Sequence, residues 1–341
     1  MKPKILITGG AGYIGAHTVV ELHQAGFDTV IIDNLSRCDE TLLHGIEKIT
    51  KQKPNFHKGD CLDKDFLRTV FKTQGRISGV IHFAAYKAVG VSVEKPLDYY
   101  RNNIGSLVTL LEVMKEFGVK DIIFSSSCTV YGQPDQIPVS ESAPFKRAES
   151  PYGATKQMCE RILEDAYLTG YKIISLRYFN PIGAHPSGNM GELPIGVPSN
   201  LVPFITQTAI GKREKLTVFG NDYNTPDGYN IRDFIHVVDV ADAHVKAIQF
   251  LQKQSKAKSY DVYNLGTGEG VSVLQLIEIF QKVSGVKLNY TVGDRRPGDI
   301  EKVYADPTKI MRELNWKAKY SIEEGLLHSW AWEKKLSVNK K

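Results

Sequence analysis

The segment SPYGATK, residues 150–156, places a tyrosine and a lysine four positions apart directly after a proline. Ser150 is typical of a helix N-cap and Pro151 of a first helical residue, so Tyr152 and Lys156 should share one helix face. A free tyrosine has a pKa of about 10, too high for a base near neutrality. A lysine cation and a helix N-terminus nearby would favour the phenolate, which could accept a proton from a hydroxyl group. A surface Tyr/Lys pair explains the same spacing.

A serine-rich segment, SSSCTVYG at residues 125–132, ends a predicted strand and could supply a second polar group. Ligands of open α/β sheets bind at the carboxyl ends of strands. We expect Ser127 to hydrogen-bond the reacting oxygen and relay its proton. Ser125 and Ser126 are expected to be structural or to position the ring.

The segment TGGAGYIG, residues 8–15, follows a predicted strand and opens a predicted helix. Gly9, Gly12 and Gly15 allow a tight turn, close approach of a pyrophosphate and close helix–strand packing. The helix N-terminus offers free N–H groups to the phosphates. A glycine-rich turn without a ligand is the alternative, but the flanking elements favour a dinucleotide site.

Three residues bear on which dinucleotide is bound. Asp33 ends the second predicted strand, where a carboxylate accepts from a ribose 2′-OH and repels a 2′-phosphate. This favours NAD over NADP, although Arg37 could hold a 2′-phosphate. Asp60 is expected either to hydrogen-bond the adenine or to cap the helix that follows it.

The elements that position these residues are short apolar runs separated by helical patterns. Continuous runs are typical of parallel strands buried on both faces, and strand–helix alternation predicts an α/β, doubly wound parallel sheet of the Rossmann type. The predicted strands are 4–8, 29–33, 79–85, 121–127 and 173–178, with a helix over 102–117.

The pattern changes after about residue 180. Residues 180–200 are rich in Gly and Pro and predict a long loop. The remainder mixes short strands with helices predicted at 237–251 and 273–284. We therefore expect a dinucleotide-binding domain over 1–179 and a smaller mixed α/β substrate lobe over 180–341, with segments near 235–265 returning to the first domain.

Composition limits the classes of partner. The chain has 341 residues and a formal net charge of +5, without basic runs, so no nucleic-acid partner is expected. No apolar run reaches the ~18 residues of a membrane span. The four cysteines lack metal or redox spacing, and the start of the chain does not resemble a secretory signal, so no metal and a reducing cytoplasm are expected.

Taken together, the motifs resemble the extended short-chain dehydrogenase/reductases, and within them the branch of UDP-hexose 4-epimerases. The resemblance covers essentially the whole chain. The segments that carry it, in family order, are TGGAGYIG, DNLS, HFAAYKAVG, SSSCTVYG, SPYGATK, LRYFNPIGAHPSG, FGNDYNTPDG, RDFIHVVDVADAH, YNLGTG and RRPGD.

The resemblance implies roles for many residues. It makes Tyr152 the base, Ser127 its hydrogen-bonding partner and Lys156 a ligand of the nicotinamide ribose. Together with these three, the implied NAD site comprises Gly9, Gly12, Tyr13, Ile14, Gly15, Asp33, Asn34, Leu35, Ser36, Asp60, Cys61, Phe83, Ala84, Ala85, Lys87, Asn102 and Phe179.

The implied UDP-sugar site joins the strand-end serine to the second lobe. Alternatives remain for single residues, since Arg232 beside Asp233 could form a local ion pair and Phe219 is typical of a core. The implied residues are Ser127, Thr129, Tyr152, Asn180, Asn200, Leu201, Thr217, Phe219, Arg232, Phe234, Arg296, Asp299 and Val303.

The implied reaction is reversible epimerisation of UDP-galactose and UDP-glucose at C4 through a transient 4-keto sugar and tightly bound NAD. Dehydratases of the superfamily carry an acidic pair where this chain has Cys128 and Thr129, which argues against dehydration. Cys128 is interpreted as a small buried residue rather than a nucleophile. The alternatives are epimerases acting on UDP-glucuronate or a UDP-pentose, a sugar-nucleotide dehydratase and a non-catalytic NAD-binding protein.

Two further expectations rest on the resemblance. Val303 matches a position that gates the hexose pocket, and a small residue there implies activity on UDP-N-acetylhexosamines; a shift of one residue would place Tyr304 at the gate. A homodimer is implied through helices at about 96–117 and 152–169.

Overall fold

A seven-stranded, wholly parallel sheet forms the centre of the computed structural model, which describes residues 2–255, 257–296 and 299–338. The strands of the chain are β1 (Lys4–Thr8), β2 (Asp28–Asp33), β3 (Phe56–Lys58), β4 (Gly79–His82), β5 (Asp121–Ser127), β6 (Lys172–Tyr178), β7 (Asn180–Ile182), β8 (Leu216–Phe219), β9 (Ile231–Arg232), β10 (Phe234–His236), β11 (Ser259–Leu265), β12 (Val271–Ser272), β13 (Tyr290–Gly293) and β14 (Lys302–Val303). The central sheet runs β11-β6-β5-β4-β1-β2-β3.

Helices cover both faces of this sheet. They are α1 (Tyr13–Gln24), α2 (Thr41–Thr50), α3 (Lys64–Gln74), α4 (Val89–Glu94), α5 (Pro96–Tyr99), α6 (Gly105–Glu116), α7 (Pro151–Leu168), α8 (Leu201–Ala209), α9 (Val237–Lys253), α10 (Val273–Ser284), α11 (Thr308–Leu314) and α12 (Ile322–Val338). A π-helical turn over Tyr100–Ile104 joins α5 to α6.

The continuous apolar strands are buried on both faces, as parallel strands between two helical layers must be. Ile5 and Ile7 of β1 lie in the cluster with α1 and α9, while Leu6 between them faces α3, α6 and α7. This alternation follows from the two-residue period of a strand. The predicted doubly wound sheet is confirmed.

The five predicted strands lie in the central sheet, but two of its strands were not predicted. β3 is only three residues long, and β11 reads SYDVYNL, whose polar residues break the apolar run. β11 pairs with β6 from Ser259↔Lys172 to Leu265↔Tyr178, so a segment from the second half of the chain forms one edge of the sheet. The boundary at residues 179 and 180 stays a prediction.

The rest of the second half builds three small sheets around its own core. In one of them β9 pairs antiparallel with β12 and parallel with β14. β8 pairs with β13, and β7 with β10. Part of the expected loop 180–200 is thus a strand. The core of this half includes Ile205, Leu216, Leu276 and Phe280.

The helices in the described part of the chain include none long and apolar enough to cross a membrane. Within the same residues, no group of three or more His, Cys, Asp or Glu side chains could hold a metal ion.

Candidate active site

The turn between β1 and α1 is shaped for a phosphate group. Gly9 has φ +70°, and a Cβ there would lie 2.8 Å from the Ala84 nitrogen. A Cβ on Gly15 would lie 2.3 Å from the Gly9 carbonyl oxygen. Gly12 is the N-cap of α1, and having no side chain it cannot cap the N–H groups of the first turn, which begins at Tyr13. The bare backbone and the free N–H groups at the helix N-terminus fit a dinucleotide pyrophosphate.

Asp33 connects this turn to the end of β2. Its carboxylate accepts hydrogen bonds from the N–H groups of Ala11 (3.2 Å) and Leu35 (2.9 Å). Leu35 has φ +58°, an uncommon conformation for a residue other than glycine, which the bond to Asp33 supports. Burial raises the pKa of Asp33. Arg37 lies with its guanidinium 4.5 Å from the centroid of the Tyr86 ring.

Asp60 lies beside this carboxylate and accepts a 2.8 Å hydrogen bond from the Asn34 side chain. Its other oxygen accepts from the N–H of Leu62 at 2.9 Å. The alternative that Asp60 caps the next helix is wrong, because Asp63 is the N-cap of α3 and accepts from the N–H groups of its first turn. Asp60 is therefore placed in the turn, beside Asn34.

Ser150 caps α7 as the sequence predicts. Its hydroxyl accepts from the N–H of Gly153 at 3.2 Å, and Pro151 is the first helical residue. The helix turns Tyr152 and Lys156 towards the end of β5, where both side chains are buried. The Ser127 side chain, at the end of β5, lies close enough to Tyr152 to influence the pKa of its hydroxyl. The structure thus brings the three predicted catalytic residues together.

The charge states of Tyr152 and Lys156 depend on how deeply the two side chains are buried. Desolvation raises the pKa of Tyr152 well above its usual value, Tyr178 adds to the rise, and the neighbouring Ser127 opposes it. Burial lowers the pKa of Lys156 to about 8, against the influence of Cys159 and Glu160. In the protein itself, burial therefore outweighs the groups that the sequence predicts to favour a phenolate.

The ammonium group of Lys156 is fixed by the strand rather than by the tyrosine. It donates to the Ser125 carbonyl oxygen at 2.5 Å and lies 4.8 Å from the centroid of the Phe124 ring. The centroid of the Tyr152 ring is 5.9 Å away. Ser125 and Ser126 have structural partners, the Tyr178 hydroxyl and the Glu160 carboxylate respectively, as expected for supporting residues.

The two residues that follow Ser127 both have buried polar side-chain atoms. Burial raises the pKa of the Cys128 thiol to about 12, so it stays protonated and is a poor nucleophile. The Thr129 hydroxyl is buried and has no hydrogen-bond partner among the described residues. Neither side chain can act as a strong acid.

Arg232 enters from the second half of the chain on β9, which lies between β12 and β14. Its side chain donates to the Ile231 carbonyl oxygen at 2.9 Å. A local ion pair with Asp233 is not what the structure shows. The Asp233 carboxylate is buried and accepts instead from Thr267, Gly268 and Ala305.

Phe219, at the end of β8, is 41% exposed, so the alternative of a core residue is wrong. The Arg296 guanidinium lies 5.3 Å from the centroid of its ring and makes a 2.8 Å ion pair with Asp299. Residues 297 and 298 of the RRPGD motif lie outside the described residues. An exposed aromatic ring beside a guanidinium can stack against a nucleobase.

Val303 of β14 is buried beside Val130, Tyr131 and Phe179, close to the end of β5. Successive strand residues face opposite ways. Accordingly, Tyr304 lies on the other side, where a Cβ on Gly270 would be 2.8 Å from its ring.

The remaining predicted residues are distributed over both halves of the chain. They are Ile14 in α1, Ser36 after β2, Cys61 before α3, Phe83 and Ala85 after β4, Asn102 in the π-helical turn, Asn180 in β7, Leu201 opening α8, Thr217 in β8, and the buried Phe234 in β10.

Sequence reasoning missed Glu192. Its carboxylate pairs with Lys87 at 2.9 Å and accepts from the Asn200 side chain at 2.6 Å, so it joins a predicted cofactor residue to a predicted substrate residue. It also missed Glu160, although Glu160 follows Lys156 at helical spacing, a signal that could have revealed it.

The fold and these residues define an extended short-chain dehydrogenase/reductase. A family model described as GDP-mannose 4,6 dehydratase matches residues 6–328. The UDP-glucose 4-epimerase of Bacillus subtilis (strain 168) is 50% identical over 331 residues, 96% of this chain and 96% of that protein. The chain belongs to the UDP-glucose 4-epimerase family within that class.

Two solved structures are similar over nearly the whole chain. One is UDP-glucose 4-epimerase from Bifidobacterium longum in complex with NAD+ and UDP, at 44% identity, TM-score 0.93, and coverage of 97% of this chain and 98% of that one. The other is a UDP-glucose 4-epimerase from Stenotrophomonas maltophila with bound NAD and formylated UDP-arabinopyranose, at 44% identity, TM-score 0.95 and 99% of both chains.

Proposed function

We propose that this protein interconverts UDP-galactose and UDP-glucose by inverting C4 of the hexose through a transient 4-keto sugar. The observation that carries the proposal is the burial of three side chains side by side, Ser127 at the end of β5 and Tyr152 and Lys156 on α7. The relatives named UDP-glucose 4-epimerase support the reaction class.

Residues of this chain would hold NAD in the turn between β1 and α1. Gly9, Gly12 and Gly15 give the pyrophosphate access to the backbone, and Asp33 would accept from a ribose hydroxyl. Lys156 would bind the nicotinamide ribose. Bound NAD supplies a reversible hydride acceptor for C4, and the positive charge of its oxidised ring favours the phenolate of Tyr152.

Tyr152 would accept the proton of the C4 hydroxyl while Ser127 hydrogen-bonds the same oxygen. The proton returns to the oxygen when C4 is reduced on its opposite face. Because Cys128 and Thr129 offer no strong acid, elimination of water from the sugar is disfavoured. The residues of the chain thus serve proton transfer and orientation.

The nucleotide must stay bound while the hexose turns over. Arg232 and Arg296 would bind the diphosphate, Phe219 the uracil, and Asp299 the uridine ribose. Phe219 ends β8, Arg232 ends β9, and Arg296 and Asp299 lie between β13 and β14 in the chain. The hexose would face the buried Val303 and the Thr129 hydroxyl. A UDP anchor with a less directional hexose pocket suits inversion of C4.

Purified protein given UDP-galactose should form UDP-glucose without added NAD beyond what co-purifies, as followed by NMR. A requirement for saturating external NAD with net release of NADH would support a dehydrogenase instead. UDP-glucuronate and a UDP-pentose, tested in parallel, decide between the proposed substrate and the other UDP-sugar epimerases.

We also propose that UDP-N-acetylhexosamines are accepted, because Val303 is small and Tyr304 faces away from it. Val303→Tyr should abolish conversion of UDP-N-acetylgalactosamine and retain that of UDP-galactose. A parent protein that converts only UDP-galactose would contradict this extension.

We propose further that the protein is a cytoplasmic homodimer. Exposed apolar side chains on the two predicted interface helices support a shared face; they are Leu97, Val108, Met158 and Leu168. All four cysteines are free thiols, as suits a reducing compartment. Sedimentation of Leu97→Glu, which should be monomeric, tests the dimer.

A further inference from the structure

Tyr223 lies in the loop between β8 and β9, and its ring is held from two sides. The side chain is only 5% exposed. The guanidinium of Arg295 lies 4.2 Å from the ring centroid, and a Cβ on Gly220 would lie 2.7 Å from the ring edge. The Tyr223 N–H donates to the Gly228 carbonyl oxygen at 3.0 Å. The direction of its hydroxyl is therefore set by packing.

That hydroxyl is buried, yet no described residue makes a hydrogen bond with it. Two other buried tyrosines, Tyr99 and Tyr171, donate to the carbonyl oxygens of Ala88 and Leu111, whereas the Tyr260 hydroxyl is also buried without a partner among the described residues. An unpaired buried hydroxyl is costly, because it loses its bonds to water without replacement. A free donor at such a position indicates a group that binds there.

The charges near Tyr223 indicate what this group is. Asp299, Arg295, Arg232 and Arg296 are the charged residues that act on its hydroxyl. Asp299 is already paired with Arg296. The guanidinium groups have no acceptor to offer a phenol. A phenol O–H and arginine N–H groups in one place match an anion with several acceptor oxygens.

We propose that Tyr223 is a further substrate-binding residue, whose hydroxyl donates to the diphosphate of the UDP-sugar alongside Arg232 and Arg296. This rests on the proposed function. The diphosphate lies far from C4, so the interaction is the same in the ground state and the transition state. Its loss should raise KM and leave kcat nearly unchanged.

Tyr223→Phe removes the hydroxyl and keeps the ring. Calorimetry should show UDP binding weakened roughly 10- to 100-fold, as expected for loss of a hydrogen bond to a charged group. Uridine, which lacks phosphate, should bind the variant and the parent equally. The thermal midpoint of the ligand-free variant should be unchanged or higher, because the removed hydroxyl has no partner among the described residues.

The matched control is Tyr171→Phe, which loses a hydroxyl that donates to a carbonyl oxygen at 2.5 Å. It should lower stability and leave UDP binding unchanged. Unchanged UDP affinity in Tyr223→Phe, or an equal loss for uridine and UDP, overturns the proposal. Binding is measured without turnover, so a parent protein that binds UDP but does not invert C4 contradicts the proposed function alone.

Discussion

Glu160 of α7 and Arg177 of β6 form a buried ion pair one helical turn beyond Lys156. The guanidinium donates three hydrogen bonds to the carboxylate, from Nε at 2.9 and 3.2 Å and from Nη2 at 2.5 Å. Glu160 also accepts from the hydroxyl of Ser126, next to Ser127. The pair therefore ties the helix that carries Tyr152 and Lys156 to the two strands beneath it.

Glu160→Gln should destabilise the fold by about 3–5 kcal/mol, because it leaves the Arg177 charge buried without its partner. The Glu160 side chain is only 1% exposed and the Arg177 side chain only 6%. Arg161→Gln on the same helix breaks an exposed pair with Glu164 and should cost under ~1 kcal/mol. Urea unfolding of both variants measures the difference, and equal losses would contradict the assignment.

Tyr152→Phe should lower kcat by roughly 10²- to 10⁴-fold, because the base that accepts the C4 hydroxyl proton is removed. UDP affinity should be nearly unchanged, since the nucleotide is held by residues of the second half of the chain. Product formation from UDP-galactose and calorimetry with UDP measure the two effects. Full activity in this variant would refute the role of Tyr152.

Gly15→Ala should reduce the NAD that co-purifies with the protein. The added Cβ would lie 2.3 Å from the Gly9 carbonyl oxygen. Because this distance is too short, the turn that receives the pyrophosphate must shift. A strain of about 1–3 kcal/mol corresponds to a loss in affinity of roughly 5- to 150-fold. The control is Gly90→Ala, where a Cβ meets nothing within 4 Å. Bound NAD is measured by chromatography after denaturation.

Stability should fall as the pH is lowered from 6.5 towards 3, because of buried histidines behind the glycine turn. Burial lowers the pKa of His17 and of His236 to about 3 each. The unfolded chain binds these protons from about pH 6.5 downwards and the folded chain does not, so each histidine should cost roughly 2 kcal/mol by pH 5. Burial also lowers the pKa of His82 to about 3 and of His244 to about 4, so urea unfolding at pH 7.5 and pH 5 measures the sum of all four contributions.

His236→Asn isolates one of these contributions. His236 is the N-cap of α9, accepting from the N–H of Val238, and asparagine can cap in its place. His328 and His185 lie near His236, and burial lowers their pKa values too. Burial raises the pKa of Glu21 to about 7 and that of Asp239 to about 6, so these two carboxyl groups increase stability as the pH falls. The variant should show a shallower pH dependence than the parent.

Local patterns in the sequence predicted much of the fold. The apolar runs of β1 and β5 and the capping sequence of α7 follow from periodicity and turn chemistry alone. β11 could not be found this way, because its place at the edge of the sheet is set by pairing with β6 and not by its own residues.

The candidate site shows the same difference between features set by local sequence and features set by long-range contacts. The glycine turn and the Tyr-x-x-x-Lys spacing are local and could be read from the chain. The Glu192 contacts with Lys87 and Asn200, and the burial of Tyr223, depend on residues distant in sequence. For the same reason the raised pKa of Tyr152 was not predicted, since it depends on how deeply the folded chain buries the ring.

Arg232 lies on β9, whose two neighbouring strands are synthesised well after β9 itself. β9 ends at residue 232, while its neighbours β12 and β14 end at residues 272 and 303. On the ribosome, the glycine turn and the first four strands of the central sheet are complete long before Val303 emerges. The nascent chain can therefore assemble its dinucleotide half early, whereas the setting of Arg232 forms only when synthesis is nearly finished. A ribosome that stops before residue 303 releases a chain without that setting.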